Sequence, residues 1–167
     1  MHRIKPQMLV RIALLAAISI ILGKFLAFNI GDWFRFSFEN LPLLLCGYLF
    51  GVPSGILCAV VADLVGCLVR GYTVNPIITL GAAALGAAAG CFGKKGFCKT
   101  PRLSLSVATG HLVGSVILKT VGIHVFYATP YAALLWRLPS YAAVALLEYT
   151  VIRILLSSKG FANILEK

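Results

Sequence analysis

The sequence predicts an all-α integral membrane protein, a bundle of six transmembrane helices, and three observations carry that prediction. Of 167 residues, 60% are hydrophobic and 12% charged, with a mean hydropathy of +0.95; an average soluble domain carries about 25% charged residues. The apolar residues fall into runs broken by Gly, Pro and charge, and the longer runs approach the about 20 residues that a spanning helix needs. Between them stand small polar and aromatic islands, Arg35 to Pro42 and Gly71 to Pro76. In so apolar a chain such islands must be loops at a membrane surface or groups lining a cavity, because hydrocarbon satisfies neither bare backbone nor charge.

Taken in order, the runs predict helices at Met8 to Phe28, Asn40 to Phe50, Pro53 to Val69, Ile77 to Phe92, Leu103 to Ile123 and Pro139 to Ser157. The first is too long for a signal-peptide h-region and has no obvious small-residue cleavage site, so it reads as a retained helix. The second is short for a span. Only Gly51-Val52-Pro53 separates it from the third, which predicts a tight helical hairpin whose turn lies within the membrane, and leaves five full spans as the alternative to six. The length fits one membrane domain over 1–167.

Small residues recur at four-residue spacing: Gly47, Gly51 and Gly55, then Gly86 and Gly90, then Gly110 and Gly114. Such stripes let helix backbones approach closely in lipid. Ala13 and Ala17 form a similar stripe on the first helix, open to internal packing or to a partner subunit.

The net charge of +10 would suggest nucleic acid in a soluble protein, but no basic stretch is interleaved with base-stacking aromatics. Topology accounts for it instead. Arg3, Lys5, Arg11, Lys94, Lys95, Lys99, Arg102, Arg153, Lys159 and Lys167 fall on one side, and Lys24, Arg35, Arg70, Lys119 and Arg137 on the other. The positive-inside rule then puts both termini in the cytoplasm. Cys46, Cys58, Cys67, Cys91 and Cys98 contain no CxxC pair and mostly lie in apolar runs, as reduced thiols used as small hydrophobes would.

The outer-side cations coincide with hydrogen-bonding and stacking groups. Arg35 has Trp33, Phe36 and Asn40 nearby; Arg70 has Tyr72, Thr73 and Asn75; Arg137 has His124, Tyr127 and Tyr131 in the preceding loop. Aromatic walls with a few placed polar groups suit an enclosed small-molecule pocket, and Arg forks onto carboxylates. The implied ligand is small, flat and anionic, and the candidate binding set is Arg35, Phe36, Tyr72, Asn75, Lys119, His124 and Arg137. The competing reading is an interfacial aromatic belt with arginines on lipid phosphates. Within the membrane, Asp63, His111 and Glu148 fall near mid-depth, with Lys119 closer to the outer side, and predict a buried polar network of three groups.

No enzyme signature is present: no Gly-x-Ser-x-Gly elbow, no Walker sequence and no His-Glu-x-x-His. Met1-His2 is too short a match for an amino-terminal metal site, so no metal and no cofactor are expected.

The run from Arg35 to Gly90 resembles the substrate-binding S component of an energy-coupling factor (ECF) vitamin transporter, most closely the folate family. The residues that carry the resemblance are Arg-Phe-Ser-Phe-Glu-Asn-Leu-Pro at Arg35, Gly-Tyr-Leu-Phe-Gly at Gly47, Ala-Asp-Leu-Val-Gly at Ala62, Gly-Tyr-Thr-Val-Asn-Pro-Ile-Ile-Thr-Leu-Gly at Gly71 and Arg-Leu-Pro-Ser-Tyr at Arg137. The resemblance implies a six-helix bundle with a vitamin site near the outer face, built from helices four to six and capped by the first, third and fifth loops. It implies no ATPase of its own, with ATP used by two ATP-binding partner subunits and a transmembrane coupling subunit docked on the Ala13 and Ala17 face. It further implies a multi-pass protein of a prokaryotic plasma membrane that imports folate or a related flat anion. The alternatives are an S component for a different vitamin, an ion-coupled secondary transporter of a small organic anion using Asp63 and Glu148, or a structural or lipid-binding subunit.

Overall fold

Glycine and proline punctuate the chain where the helices begin and end. The structure, a computed structural model, describes residues 6–30, 34–93, 100–131, 135 and 137–158. Helix α1 runs from Pro6 to Phe25, its last turn, Ile21–Phe25, in the wider π form. A short antiparallel ribbon follows, β1 (Phe28–Ile30) and β2 (Phe34–Phe36), with Asn29 opposite Arg35. Then come α2 (Asn40–Phe50), α3 (Val52–Arg70) and α4 (Pro76–Phe92). Helix α5 is built from Thr100–Gly110, a π-helical stretch His111–Leu118 and Lys119–Tyr127, and α6 is Arg137–Ser157.

Among the described residues these six helices match the expected six, with corrections at two ends. The fifth continues to Tyr127 rather than stopping at Ile123. The first helix stops at Phe25 rather than Phe28. Leu26 leaves helical geometry after its N–H closes on the Ile21 carbonyl at 3.1 Å, and the Arg70 guanidinium donates to the Lys24 carbonyl. A cation on the last carbonyls of a helix both satisfies them and complements the dipole. Arg70 also lies over the Phe25 ring, 5.8 Å from its centroid, so this arginine is committed to ending α1.

Among the described residues four helices, α1, α3, α5 and α6, are long and apolar enough to cross a membrane; α2 and α4 are shorter and apolar. The two short helices sit inside, α4 packing against α2, α3 and α5. Leu44, Cys46, Cys58, Ala59, Leu85 and Ala89 form the fully buried centre. The outward faces of the long helices carry Leu9, Leu14, Leu68, Leu112 and Leu146, the arrangement expected where lipid is the solvent.

Where glycines of α2, α3 and α4 face one another, there is no room for a side chain. A methyl on Gly86 would collide with the Gly55 backbone, one on Gly47 with the Gly86 carbonyl, and one on Gly90 with Val52. Backbones in direct contact gain the dispersion energy that apolar burial cannot supply in lipid. The stripes through Gly47, Gly55, Gly86 and Gly90 are therefore packing seams within the bundle, and Gly114 meets Gly81 in the same way between α5 and α4. Gly51, at φ 88°, makes the α2–α3 turn that a side chain would strain. The predicted hairpin is present.

Among the cysteines, Cys46, Cys58 and Cys67 are buried free thiols. Cys91 is exposed on the bundle surface, and Cys98 lies outside the described residues.

Candidate functional site

A cavity of about 420 Å³ opens where α1 ends, α3 gives way to α4 and α5 meets α6. Its walls are built by local rules. Gly71 adopts the left-handed conformation after α3, with its N–H on the Leu68 carbonyl (3.2 Å) and the Tyr72 N–H on the Cys67 carbonyl (2.9 Å). That double closure is a Schellman cap, and it delivers Tyr72 to the cavity edge. Asn75 then starts α4: its side chain accepts from the Ile77 and Ile78 N–H groups at 3.0 and 3.4 Å, with Pro76 behind it. Its Nδ2 donates to the Gly122 carbonyl at 3.0 Å, tying the cap to α5. Tyr127 from α5 and Tyr141 from α6 complete an aromatic wall with Tyr72.

Among the described residues four charged side chains line the cavity: Lys24, Glu39, Asp63 and Lys119. All four also line a small void beneath it, together with Ser19, Ala59 and Ala82, and so form the cavity floor. Lys119 Nζ donates to Glu39 Oε1 at 3.0 Å and to Asn40 Oδ1 at 3.2 Å. Glu39 is held from a second side, its carbonyl accepting from Ser19 Oγ at 2.6 Å. Gly23 makes that seat, since a methyl there would come within 2.6 Å of the Glu39 side chain. Asp63 accepts from the Thr79 hydroxyl at 2.6 Å. Lys24 lays its stem across Gly66 of α3, where a methyl would approach Cε to 2.7 Å, and its ammonium lies 6.0 Å from the Tyr72 ring centroid. Opposite charges thus balance across the floor.

Of the sequence-predicted binding set, Tyr72, Asn75 and Lys119 come together in this cavity. Asn75 does so as a buried helix cap whose side chain is occupied by backbone groups. Phe36 ends β2, half-buried, beside the cavity-lining Ser37. His124 stands apart from the lining: its Nδ1 donates to the Thr129 carbonyl at 2.8 Å and its ring stacks on Tyr131 at 3.9 Å, which fixes the loop after α5. The backbones of Arg35, on β2, and Arg137, opening α6, belong to elements that pack together. Their side chains, and Trp33 entirely, lie outside the described residues.

The expected three-group network of Asp63, His111 and Glu148 resolves into two separate arrangements. His111 Nε2 and Glu148 Oε2 meet at 2.7 Å in the buried seam between α5 and α6, while Asp63 faces the cavity with Thr79. Depth along a helix is legible in sequence; the direction in which a side chain points depends on packing. Sequence reasoning missed Lys24, Glu39, Asp63 and Tyr141 as cavity residues. One signal was available: Lys24 and Asp63 are charges inside apolar runs, which usually face a cavity or a partner.

Ala13 and Ala17 are exposed on the outer face of α1, whereas Ala16 between them is buried against the bundle.

A helical membrane bundle with a walled, charge-lined cavity defines a membrane-embedded binding protein. The chain belongs to the ECF transporter, substrate-specific component family, whose family model matches residues 7–165. Two solved structures share its fold. One, titled "Crystal structure of FolT bound with folic acid", superposes with a TM-score of 0.76 at 22% identity, covering 90% of this chain and 91% of that one. The other, titled "Structure and mechanism of the S component of a bacterial ECF transporter", gives a TM-score of 0.72 at 24% identity, covering 98% and 100%. No curated protein matches the sequence.

Proposed function

We propose that this S component captures folate or a related flat anionic vitamin in the cavity at the outer end of the bundle and releases it inward when partner subunits hydrolyse ATP. The observation that carries this reading is the cavity itself: about 420 Å³, walled by Tyr72, Tyr127 and Tyr141 and floored by four charged groups. That volume and lining suit a drug-sized ligand with a flat ring. Support for folate comes from the resemblance at Arg35 to Gly90 and from the fold shared with a folic-acid-bound protein.

In this reading Arg35 and Arg137, on elements that pack together, read the carboxylates. The charged groups described on the floor balance, so in this reading the ligand's net negative charge is met by the two arginines. The exposed Ala13 and Ala17 face of α1 docks the transmembrane coupling subunit, two ATP-binding subunits supply the energy, and both termini lie in the cytoplasm of a prokaryote.

Calorimetry on arginine variants tests the anion reading. Arg137→Ala and Arg35→Ala should each cost about 2 to 5 kcal/mol of folic acid binding, the range for truncating one partner of a buried charged pair. Arg102→Ala on the opposite side should leave affinity unchanged. If an amide-capped ligand loses as much affinity on the arginine variants as folic acid does, these arginines do not read the carboxylates.

A further inference from the structure

The two lysines and two carboxylates of the cavity floor are used unequally. Lys119 is committed to Glu39 and Asn40. Lys24 and Asp63 are held on different helices, α1 and α3, each by its own neighbour: Gly66 beneath the Lys24 stem and Thr79 against one Asp63 oxygen. Neither has an ion-pair partner among the described residues, and the second Asp63 oxygen accepts no hydrogen bond from them. Both line the same cavity in a membrane-embedded bundle.

Unpaired charges in such a setting are costly. Two of opposite sign, half-buried and facing one cavity without touching, can be satisfied together by a molecule set between them. We propose that Lys24 and Asp63 form a recognition subsite that binds a ligand edge carrying a hydrogen-bond donor beside an acceptor, the donor to the Asp63 carboxylate and the acceptor to the Lys24 ammonium.

The tyrosines around the pair favour a flat neutral heterocycle with an amino or imide N–H next to a ring carbonyl or nitrogen. A zwitterion offering an ammonium and a carboxylate presents the same two complements. Glu39 and Lys119, the other charges on the floor, occupy each other and leave this edge to Lys24 and Asp63. The inference rests on the cavity being the ligand site, and it adds a determinant independent of Arg35 and Arg137.

The test is calorimetry on the purified full chain in detergent, with folic acid, 2-desamino folic acid, riboflavin and tryptophan as probes, and with Asp63→Asn and Lys24→Met as variants. Because the two substitutions lie on different helices, a folding defect in one leaves the other informative, and thermal stability is recorded for both. Wild type should bind folic acid, and each variant should lose about 30-fold or more in affinity. The desamino analogue, which keeps the ring N–H beside the carbonyl but lacks the exocyclic amino donor, should bind wild type more weakly than folic acid and lose less of its affinity on Asp63→Asn.

If riboflavin or tryptophan binds instead, with the same dependence on both residues, the subsite stands and the folate assignment falls; tryptophan would identify the zwitterionic source. Folic acid binding unaffected by both substitutions overturns the subsite and leaves the folate assignment intact. Failure of wild type to bind any of the four probes overturns both.

Discussion

Lys119 of α5 closes onto Glu39, the residue before α2, across eighty positions of sequence, with Nζ 3.0 Å from Oε1. The side chains are 12% and 27% exposed, so the contact is screened less than a surface pair. It joins the helix that forms one cavity wall to the loop that enters the bundle after the ribbon. Breaking it from one side leaves the other charge without its partner in a membrane-embedded cavity. Lys119→Met or Glu39→Gln should each destabilise the protein by about 2 to 4 kcal/mol, somewhat below the range for a fully buried pair. The double variant should recover much of that loss. Unfolding in detergent micelles gives the comparison, and single variants as stable as wild type would mean that the pair does not hold the loop.

The His111–Glu148 contact is more deeply buried, with side chains 5% and 0% exposed. His111 Nδ1 and Glu148 Oε1 have no hydrogen-bond partner among the described residues, and neither do the hydroxyls of Ser106, Ser115 and Ser140. Removing one partner alone, as in His111→Leu, strands the other in an apolar seam and should cost about 3 to 5 kcal/mol. The paired change His111→Leu with Glu148→Met replaces the contact by apolar groups and should return stability close to wild type. Equal losses in the single and double variants would locate the effect in packing volume instead.

The glycine seam gives a steric prediction. Gly86→Ala places a methyl against the Gly55 backbone, where no flexible side-chain end can yield. Overpacking of this kind costs about 1 to 3 kcal/mol or more. Gly71→Ala meets nothing within 4 Å but stands at φ 67°, and should cost less, about 1 kcal/mol, from backbone strain alone. Thermal unfolding of the two variants should rank them in that order.

Helix number and helix ends were largely legible from punctuation: Gly51-Val52-Pro53 marked the hairpin, Gly71 ended α3, and Pro76 opened α4. What the residues alone did not reveal was orientation around each helix axis. In a soluble protein polar faces mark the outside, but here Leu, Val and Ala cover the lipid face and the packed face alike, so no hydrophobic period separates them. Asp63 was therefore grouped by depth with His111 and Glu148, although it faces the cavity. The π-helical stretches were equally hidden. The one at His111–Leu118 lies between two polar residues of α5, His111 facing α6 and Lys119 facing the cavity; wider turns shift the angular relation between side chains that regular α-helical spacing assumes.

In the proposed function the small, exposed side chains Ala13 and Ala17 of α1 dock the coupling subunit. Ala13→Trp or Ala17→Trp should abolish cellular uptake of the vitamin while leaving its affinity for the isolated chain unchanged, because bulk at a small-residue interface prevents close approach of a partner helix. Recovery of the coupling subunit at wild-type level by both variants in a pull-down would contradict this use of the face.

The central claim is that the chain alone is a high-affinity receptor and that ATP serves only transport. Calorimetric titration of the purified chain with folic acid, in the absence of nucleotide and partner subunits, tests it most directly. Saturable one-to-one binding in the nanomolar range, roughly 12 kcal/mol, is the result the account predicts. A purified, folded chain that shows no saturable binding of folic acid or of any other flat anionic vitamin until the ATP-binding subunits are added would contradict it.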